Sequence, residues 1–241
     1  MTSAPKYSLV VPCYNEERNL RPLLEAFKAA LNGEDLELII VDNGSTDGTR
    51  PELDLLLPMY PFARSVRTEP NRGYGAGILK GLDAAAGEYV GWTHGDLQSP
   101  PAAALKAVAL AGRTGGDRFL IKGLRRGRPL GDRFFTAAMA LFESLLFGAN
   151  LCDINGQPTL FHRSLLETWA SPPQDFSLDL YASVTALKAG FGVIRFGVEN
   201  APRERGASSW NKGLGSRLAL AARTIAASLK IRAALARGTR A

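Results

Sequence analysis

Cysteine and histidine are scarce: the 241-residue chain has two of each. Cys13 and Cys152 cannot build a disulfide framework, and no cluster of zinc-binding spacing occurs. Long apolar runs are also missing. Nothing approaches the roughly 18 residues of a bilayer-spanning helix, so no span is expected. Met1–Lys6 lacks the basic-then-apolar pattern of a secretory leader. Internal repeats and low-complexity linkers are absent too. These absences point to a reduced, cytoplasmic, water-soluble protein. The 46% of hydrophobic residues excludes disorder and suffices for one compact core.

Acidic residues stop at Glu204, although the chain as a whole carries a net charge of +6. The tail beyond holds Arg205, Lys212, Arg217, Arg223, Lys230, Arg232, Arg237 and Arg240, whereas the body has slightly more acidic than basic residues. The basic character therefore belongs to the C-terminus, which suits phosphate on nucleic acid, anionic lipid or a charged substrate.

What is present is an alternation. Tyr7–Pro12, Leu36–Val41, Ala63–Arg67, Glu88–Trp92 and Phe119–Ile121 read as strands. Glu17–Leu31, with Leu20, Leu23, Leu24 and Phe27 on one stripe, Gly75–Ala86 and the segment opened by Pro100 and Pro101 read as helices. Apolar strands joined by helices predict a mainly parallel, doubly wound α/β sheet covered on both faces. Arg125–Arg133 then forms a basic segment, Phe134–Phe147 an apolar helix and Asp153–Pro158 a loop. Leu160–Trp169 and Asp179–Ala189 read as helical, Gly192–Val198 as a late strand and Leu214–Leu235 as a last helix.

Open α/β sheets bind ligands beyond the carboxyl ends of their strands. Three polar clusters fall there: Pro12–Glu16, Asp42–Thr49 and His94–Gln98. Each alone also reads as helix capping, by Asn15 or Ser45, or as a turn at Asp47. Three at one edge favour a ligand. Asn71–Gly77 imitates a dinucleotide fingerprint but follows the third strand instead of the first. Its glycines, Gly73 among them, are expected to let the chain approach a ligand closely.

The ordered set VVPCYNEERNL (10–20), IIVDNGSTDGT (39–49), NRGYGAGILKG (71–81) and GDLQSPP (95–101) resembles family 2 glycosyltransferases, closest to the dolichyl- and polyprenyl-phosphate sugar transferases. Weaker matches follow in DINGQP (153–158), FSLD (176–179) and RERGASS (203–209). The resemblance implies a GT-A fold over residues 1–212, with 7–122 as the nucleotide-sugar half, 123–212 as the acceptor side and 213–241 as a basic amphipathic helix. It implies that Pro12, Tyr14, Asn15, Glu16, Asp42 and Gly73 frame the donor nucleotide. Asp96 then matches the last carboxylate of the family's Asp-x-Asp motif. Asp96 and Gln98, with His94 standing where the first Asp belongs, are the candidate ligands of Mg²⁺ or Mn²⁺. Asn43 replaces the second Asp of the family's VDDGS motif, and Ser209 replaces a lysine.

Arg125, Arg133 and Arg203 match family arginines and are the candidate cradle for donor diphosphate and acceptor phosphate. A solvated charge run is the plain alternative for Arg125, Arg126, Arg128 and Arg133. Asp153 and Asp179 match family positions on the acceptor side, as structural partners of the arginines or with a chemical role. A polyprenyl-phosphate acceptor is already an anion and needs no strong base, so in-line positioning and an inverted product are expected. In the last helix Leu214, Leu218, Ala221, Ala222, Ile225 and Leu229 share a face opposite Arg223, Lys230 and Arg237. That pattern suits an anionic membrane surface, packing on the body, or a membrane protein partner. A peripheral place at the cytoplasmic membrane follows. The rivals are a soluble acceptor and a non-catalytic nucleotide-sugar sensor. A nucleic-acid partner is not expected, because it leaves the strand-end motifs without purpose.

Overall fold

The computed structural model describes residues 4–199 and 214–238. Seven strands form one sheet in the order β3-β2-β1-β4-β6-β5-β7. They are β1 (Tyr7–Cys13), β2 (Leu36–Asn43), β3 (Ala63–Thr68), β4 (Tyr89–Trp92), β5 (Phe119–Arg126), β6 (Thr159–His162) and β7 (Gly192–Glu199). The helices are α1 (Glu17–Ala30), α2 (Thr49–Leu56), α3 (Tyr74–Ala84), α4 (Pro101–Thr114), α5 (Leu130–Phe147), α6 (Leu178–Lys188) and α7 (Leu214–Gly238).

Strand alternation decides which helices cover which face. Leu9, Val11 and Cys13 of β1, with Leu36, Leu38 and Ile40 of β2, enter one core with Leu20, Leu23, Leu24 and Phe27 of α1 and the alanine-rich face of α4. Val10, Ile39 and Val41 point the other way, into a second core with Ile78 and Leu82 of α3 and Leu178 and Ala182 of α6. Every residue of β1 except Pro12 is buried. Two-sided burial is why these strands read as continuous apolar runs.

The expected sheet is thus present, with four differences. First, Leu160–Trp169 contains no α-helix. Thr159–His162 forms β6, antiparallel to both β4 and β5, and Arg163–Thr168 is a 3₁₀ turn. Its apolar spacing fits either period; burial between two strand edges selects the strand. Second, α2 is an additional helix, closing Leu53 and Leu56 onto the first core. Third, β5 runs on to Arg126 beside β7, so Arg125 lies within the strand. Fourth, α5 starts at Leu130, which places Arg133 in its first turn.

Helix α7 packs on the body through Ile231, which joins Leu151, Ile154, Leu180, Tyr181 and Val184 in a third, smaller core. Ser228 of α7 donates to buried Glu143 of α5 at 3.2 Å. Of the face expected to be apolar, Ile225 and Leu229 remain exposed, while the side chains of Leu214 and Leu218 lie outside the description. Burial pushes the Glu143 carboxyl up from 4.5 to about 7, against the smaller opposing effect of the Ser228 hydrogen bond. Between those two values the folded protein keeps a proton that the unfolded chain has released. Stability from this group is therefore full below pH 4.5 and is lost as pH rises through 7. Relative to the wild type, Glu143→Gln is expected to gain about 1–3 kcal/mol on going from pH 5 to pH 8, measured by urea unfolding at both pH values.

Candidate active site

The strand order reverses at β1: β2 and β3 lie on one side of it and β4 on the other. A crevice opens outside the carboxyl ends at such a switch point. Parallel pairing sets Cys13 beside Asp42 and Asp42 beside Arg67, one level across three strands. The turn after β4 reaches the same place, since a Cβ on Gly95 would stand 3.0 Å from Cys13 Sγ. Burial drives the Cys13 thiol far above its ordinary value, and the charges of Glu16, Asp42 and Asp96 push it further. Burial and the nearby negative charges both disfavour the Cys13 thiolate.

The loops around the crevice tie strand ends together, and Asp47 also caps helix starts, its Oδ1 accepting from the N–H of Thr49 in α2 at 2.9 Å and its Oδ2 from that of Glu17 in α1 at 3.4 Å. The Asn15 amide N–H donates to Ser45 Oγ at 3.0 Å, and Asn15 Oδ1 accepts from the Thr46 N–H at 2.8 Å. The Glu16 N–H donates to Thr49 Oγ1 at 2.9 Å. The side chain of Glu16, at the start of α1, makes no capping bond of its own. Asp47 does sit in a turn, accepting from the Thr49 N–H at 2.9 Å. Tyr14 leaves this frame 46% exposed, on the open side.

Asp42 is fully buried and accepts from the Ser45 N–H through Oδ1 at 2.9 Å. Its other oxygen has no hydrogen-bond donor, and Arg67 Nε stands 3.5 Å from it. Asn43 Oδ1, Thr93 Oγ1 and Gln157 Oε1 are likewise buried without a hydrogen bond. Folded interiors pair nearly all such atoms. Asp42, Asn43 and Thr93 stand at the carboxyl ends of β2 and β4 and Gln157 just before β6, where a polar ligand or ordered water would complete them; Trp169 Nε1 and Arg195 Nη1 are unmet as well.

Asp96 Oδ1 accepts from the Gln98 N–H at 3.2 Å, closing the turn after β4. His94 lies near Tyr74, ring centres 6.0 Å apart, and Tyr74 stacks on Phe176 at 4.6 Å. One carboxylate, one amide and one imidazole thus share a short turn. Among the described residues no group of three His, Cys, Asp or Glu is gathered. This donor set fits a hard cation that completes its shell with phosphate oxygens and water.

Gly73 and Gly75 admit a close approach by the chain itself. Gly73 has φ +105°, and a Cβ there would meet Gln174 O at 2.8 Å. At Gly75 it would meet Asp175 O at 2.6 Å. The glycines admit the 173–175 loop against the start of α3. The carbonyl of Gly73 accepts from Asn43 Nδ2 at 2.8 Å, which fixes the edge of the crevice.

On the far side, Asp153 grips Arg125. Its Oδ2 accepts from the Arg125 N–H at 2.7 Å and its Oδ1 from Nε at 2.9 Å, with Nη2 also in contact. Burial works to raise the Asp153 carboxyl, but the hydrogen bonds and charge of Arg125 hold it below its usual value. Burial, then the Arg125 charge, lowers the Arg128 guanidinium, so these two cations stand close together. Arg203 and the 203–209 loop lie outside the described residues.

Asp179 partners a lysine, not an arginine. Its Oδ1 accepts from Lys122 Nζ at 3.2 Å, Gln157 Nε2 at 2.8 Å and Trp92 Nε1 at 3.3 Å. Lys122 is wholly buried and also donates to Thr159 Oγ1 at 2.9 Å. Burial lowers its ammonium, with Asp179 opposing. This node ties β4, β5, β6, the 153–158 loop and α6 under the crevice. Sequence reasoning missed Lys122 and Arg67. A lysine amid the apolar FLIKGL run was the available signal, because a charge in a buried strand requires a partner.

The profile of "Glycosyl transferase family 2" matches residues 8–168. Dolichol-phosphate mannosyltransferase of Saccharomyces cerevisiae is 36% identical over 99 residues, 40% of this chain and 37% of that protein. Undecaprenyl-phosphate 4-deoxy-4-formamido-L-arabinose transferase of Photorhabdus laumondii is 26% identical over 213 residues, 86% of this chain and 63% of that protein. The chain thus spans between about a third and two thirds of the length of these relatives. Among solved structures, glucosyl-3-phosphoglycerate synthase from Mycobacterium tuberculosis, in complex with Mn²⁺, uridine diphosphate and glucosyl-3-phosphoglycerate, superposes with a TM-score of 0.72. It is 22% identical, covering 95% of this chain and 80% of that one. The last likeness is one of fold, and the mainly parallel sheet accords with GT-A architecture. With the profile running from β1 through the turn after β6, the chain belongs to glycosyl transferase family 2.

Proposed function

We propose that the protein transfers a glycosyl unit from a nucleotide sugar to a polyprenyl phosphate, with inversion and with Mg²⁺ or Mn²⁺ at Asp96. One observation carries the reading: Asp42, Asn43 and Thr93, each with an unmet buried polar atom, stand at the carboxyl ends of β2 and β4, on either side of β1 where the strand order reverses. The curated relatives, by their names, act on dolichol and undecaprenyl phosphates.

In this reading the segment 7–122 holds the donor and 123–212 the acceptor. The buried Asp42 carboxylate accepts an N–H of the base, and Tyr14 and Pro12 flank the base from the open side. Asp96, Gln98 and His94 hold the cation, which neutralises charge on the departing diphosphate. Arg125 is oriented by Asp153 and offers its remaining guanidinium edge to a phosphate, with Arg128 and Arg133 adding positive potential. The acceptor oxygen is already anionic, so the protein's task is to align it in line with the anomeric carbon and to exclude water. Arg203 is assigned to the donor diphosphate on its motif alone.

Two measurements test this. Uridine or guanosine diphosphate with Mn²⁺ is expected to raise the melting temperature. Asp42→Asn should weaken that nucleotide about 10–100-fold, the worth of one charge-assisted hydrogen bond. Purified protein given labelled nucleotide sugars and polyprenyl phosphate should yield organic-extractable label. No shift with any nucleotide overturns donor binding; label appearing only on a water-soluble phosphate ester overturns the lipid acceptor.

A further inference from the structure

We propose that helix α5 seats the protein on an anionic bilayer, its outer face lying in the headgroup region. The inference rests on the lipid-phosphate reading for its purpose, although the seating is measured apart from transfer.

The 18 residues of α5 extend about 27 Å. Leu130 is 78% exposed, Phe134 78%, Leu141 62% and Leu145 77%. Their spacing of four, seven and four residues places them within an arc of about 60°. Ala137 and Ala138 fill the gap and are exposed too. The only charged residues of α5 are Asp132, Arg133 and Glu143, and Glu143 is buried facing Ser228 of α7. From Phe134 to Phe147 no charge reaches solvent. Water-soluble surfaces rarely carry such a patch unless something covers it.

Charge selects the cover. At the head of the stripe Arg126 and Arg133 are exposed. The neighbouring α7 contains no acidic residue and exposes Arg223, Lys230, Arg232 and Arg237 together with Ile225 and Leu229. A second copy placed over this surface would set cations against cations. Anionic phospholipid supplies both the apolar layer and the countercharge. Among the described residues no helix is long and apolar enough to cross a membrane, so α5 lies in the interface plane. Only residues 126–129 separate Arg125 from the start of the stripe. A phosphate carried by a lipid in that bilayer would therefore meet Arg125 near the plane of its own headgroups. Of the two places expected for the last helix, a membrane surface or the body, Ser228 and Ile231 hold α7 on the body, as a brace for α5.

The test is flotation of the full chain with vesicles of phosphatidylcholine, alone or with roughly 30 mol% phosphatidylglycerol. The wild type is expected to float with the anionic vesicles and far less with the neutral ones. Leu141→Asp/Leu145→Asp should lower the bound fraction at least about 10-fold, with melting temperature and nucleotide-induced shift unchanged. Phe134→Trp should show a blue-shifted emission on adding anionic vesicles. Equal flotation of the double variant and wild type overturns the proposal, as does failure of the wild type to bind either vesicle. A wild-type dimer that the double variant converts to monomer also overturns it and assigns the face to a second copy. If flotation behaves as expected while no donor yields lipid-linked label, the seating stands and the transfer reading falls.

Discussion

Asp96→Ala is expected to lower glycosyl transfer about 100- to 1,000-fold at saturating donor, the usual cost of removing one electrostatic stabiliser of a leaving group. The expectation follows from the local chemistry. Between His94 and Gln98 the sole carboxylate is Asp96, and the neighbouring donors are an amide and an imidazole, which bind hard cations less strongly. In the proposed reading, a cation arriving with the diphosphate would depend on this one charge. The Asp42–Ser45 bond and the Asn15 bridges do not involve Asp96, so nucleotide affinity without metal should change little. Rates measured across a Mn²⁺ titration separate the two effects: the variant should lose the metal-dependent gain and keep metal-free nucleotide binding. A rate within a few-fold of wild type would remove Asp96 from the chemistry.

Asp179→Ala should be the most damaging single change to stability, about 3–5 kcal/mol, or roughly 6–20 °C in melting temperature for a chain of this size. It leaves Lys122 Nζ charged and buried with Thr159 Oγ1 as its remaining partner, deprives Trp92 Nε1 of its acceptor and leaves Gln157 Nε2 with Tyr74 Oη. The cost arises from the uncompensated groups, not from the strength of the pair. Replacing both partners, Lys122→Met with Asp179→Leu, should therefore recover most of the loss. Calorimetry of the single and double variants checks this; a double variant no more stable than Asp179→Ala would show that the node contributes through specific geometry.

The parts of the fold that the chain announces are those where one period dominates. Leu20, Leu23, Leu24 and Phe27 mark α1 because nothing competes with a helical stripe, and the LELIIV run marks β2 because both of its faces are covered. Thr159–His162 announces itself poorly. Four residues carry too little periodicity, and their strand identity comes from β4 and β5, far away in sequence. Helix α2 was hidden for a similar reason, being eight residues long with Pro51 inside its first turn. The common level of the strand ends was legible because strand-end polar clusters follow from α/β topology. The floor beneath them was not: the Lys122–Asp179 pair joins positions with no local relation. At Gly73 and Gly75 the need for closeness was legible, while the neighbour, a loop of the same chain, was a matter of tertiary packing.

The late arrival of β6 has a consequence during synthesis. Strand β4 ends at Trp92, yet the strand that covers its free edge begins at Thr159. At ribosomal speeds of about 5–20 residues per second, that edge stays bare for roughly 3–13 s. The nascent chain meanwhile displays a ready template for pairing with another polypeptide. Slowed elongation across 93–158 would therefore lengthen the hazard, and yield in the cell should respond to codon choice in that stretch more than in the last helix.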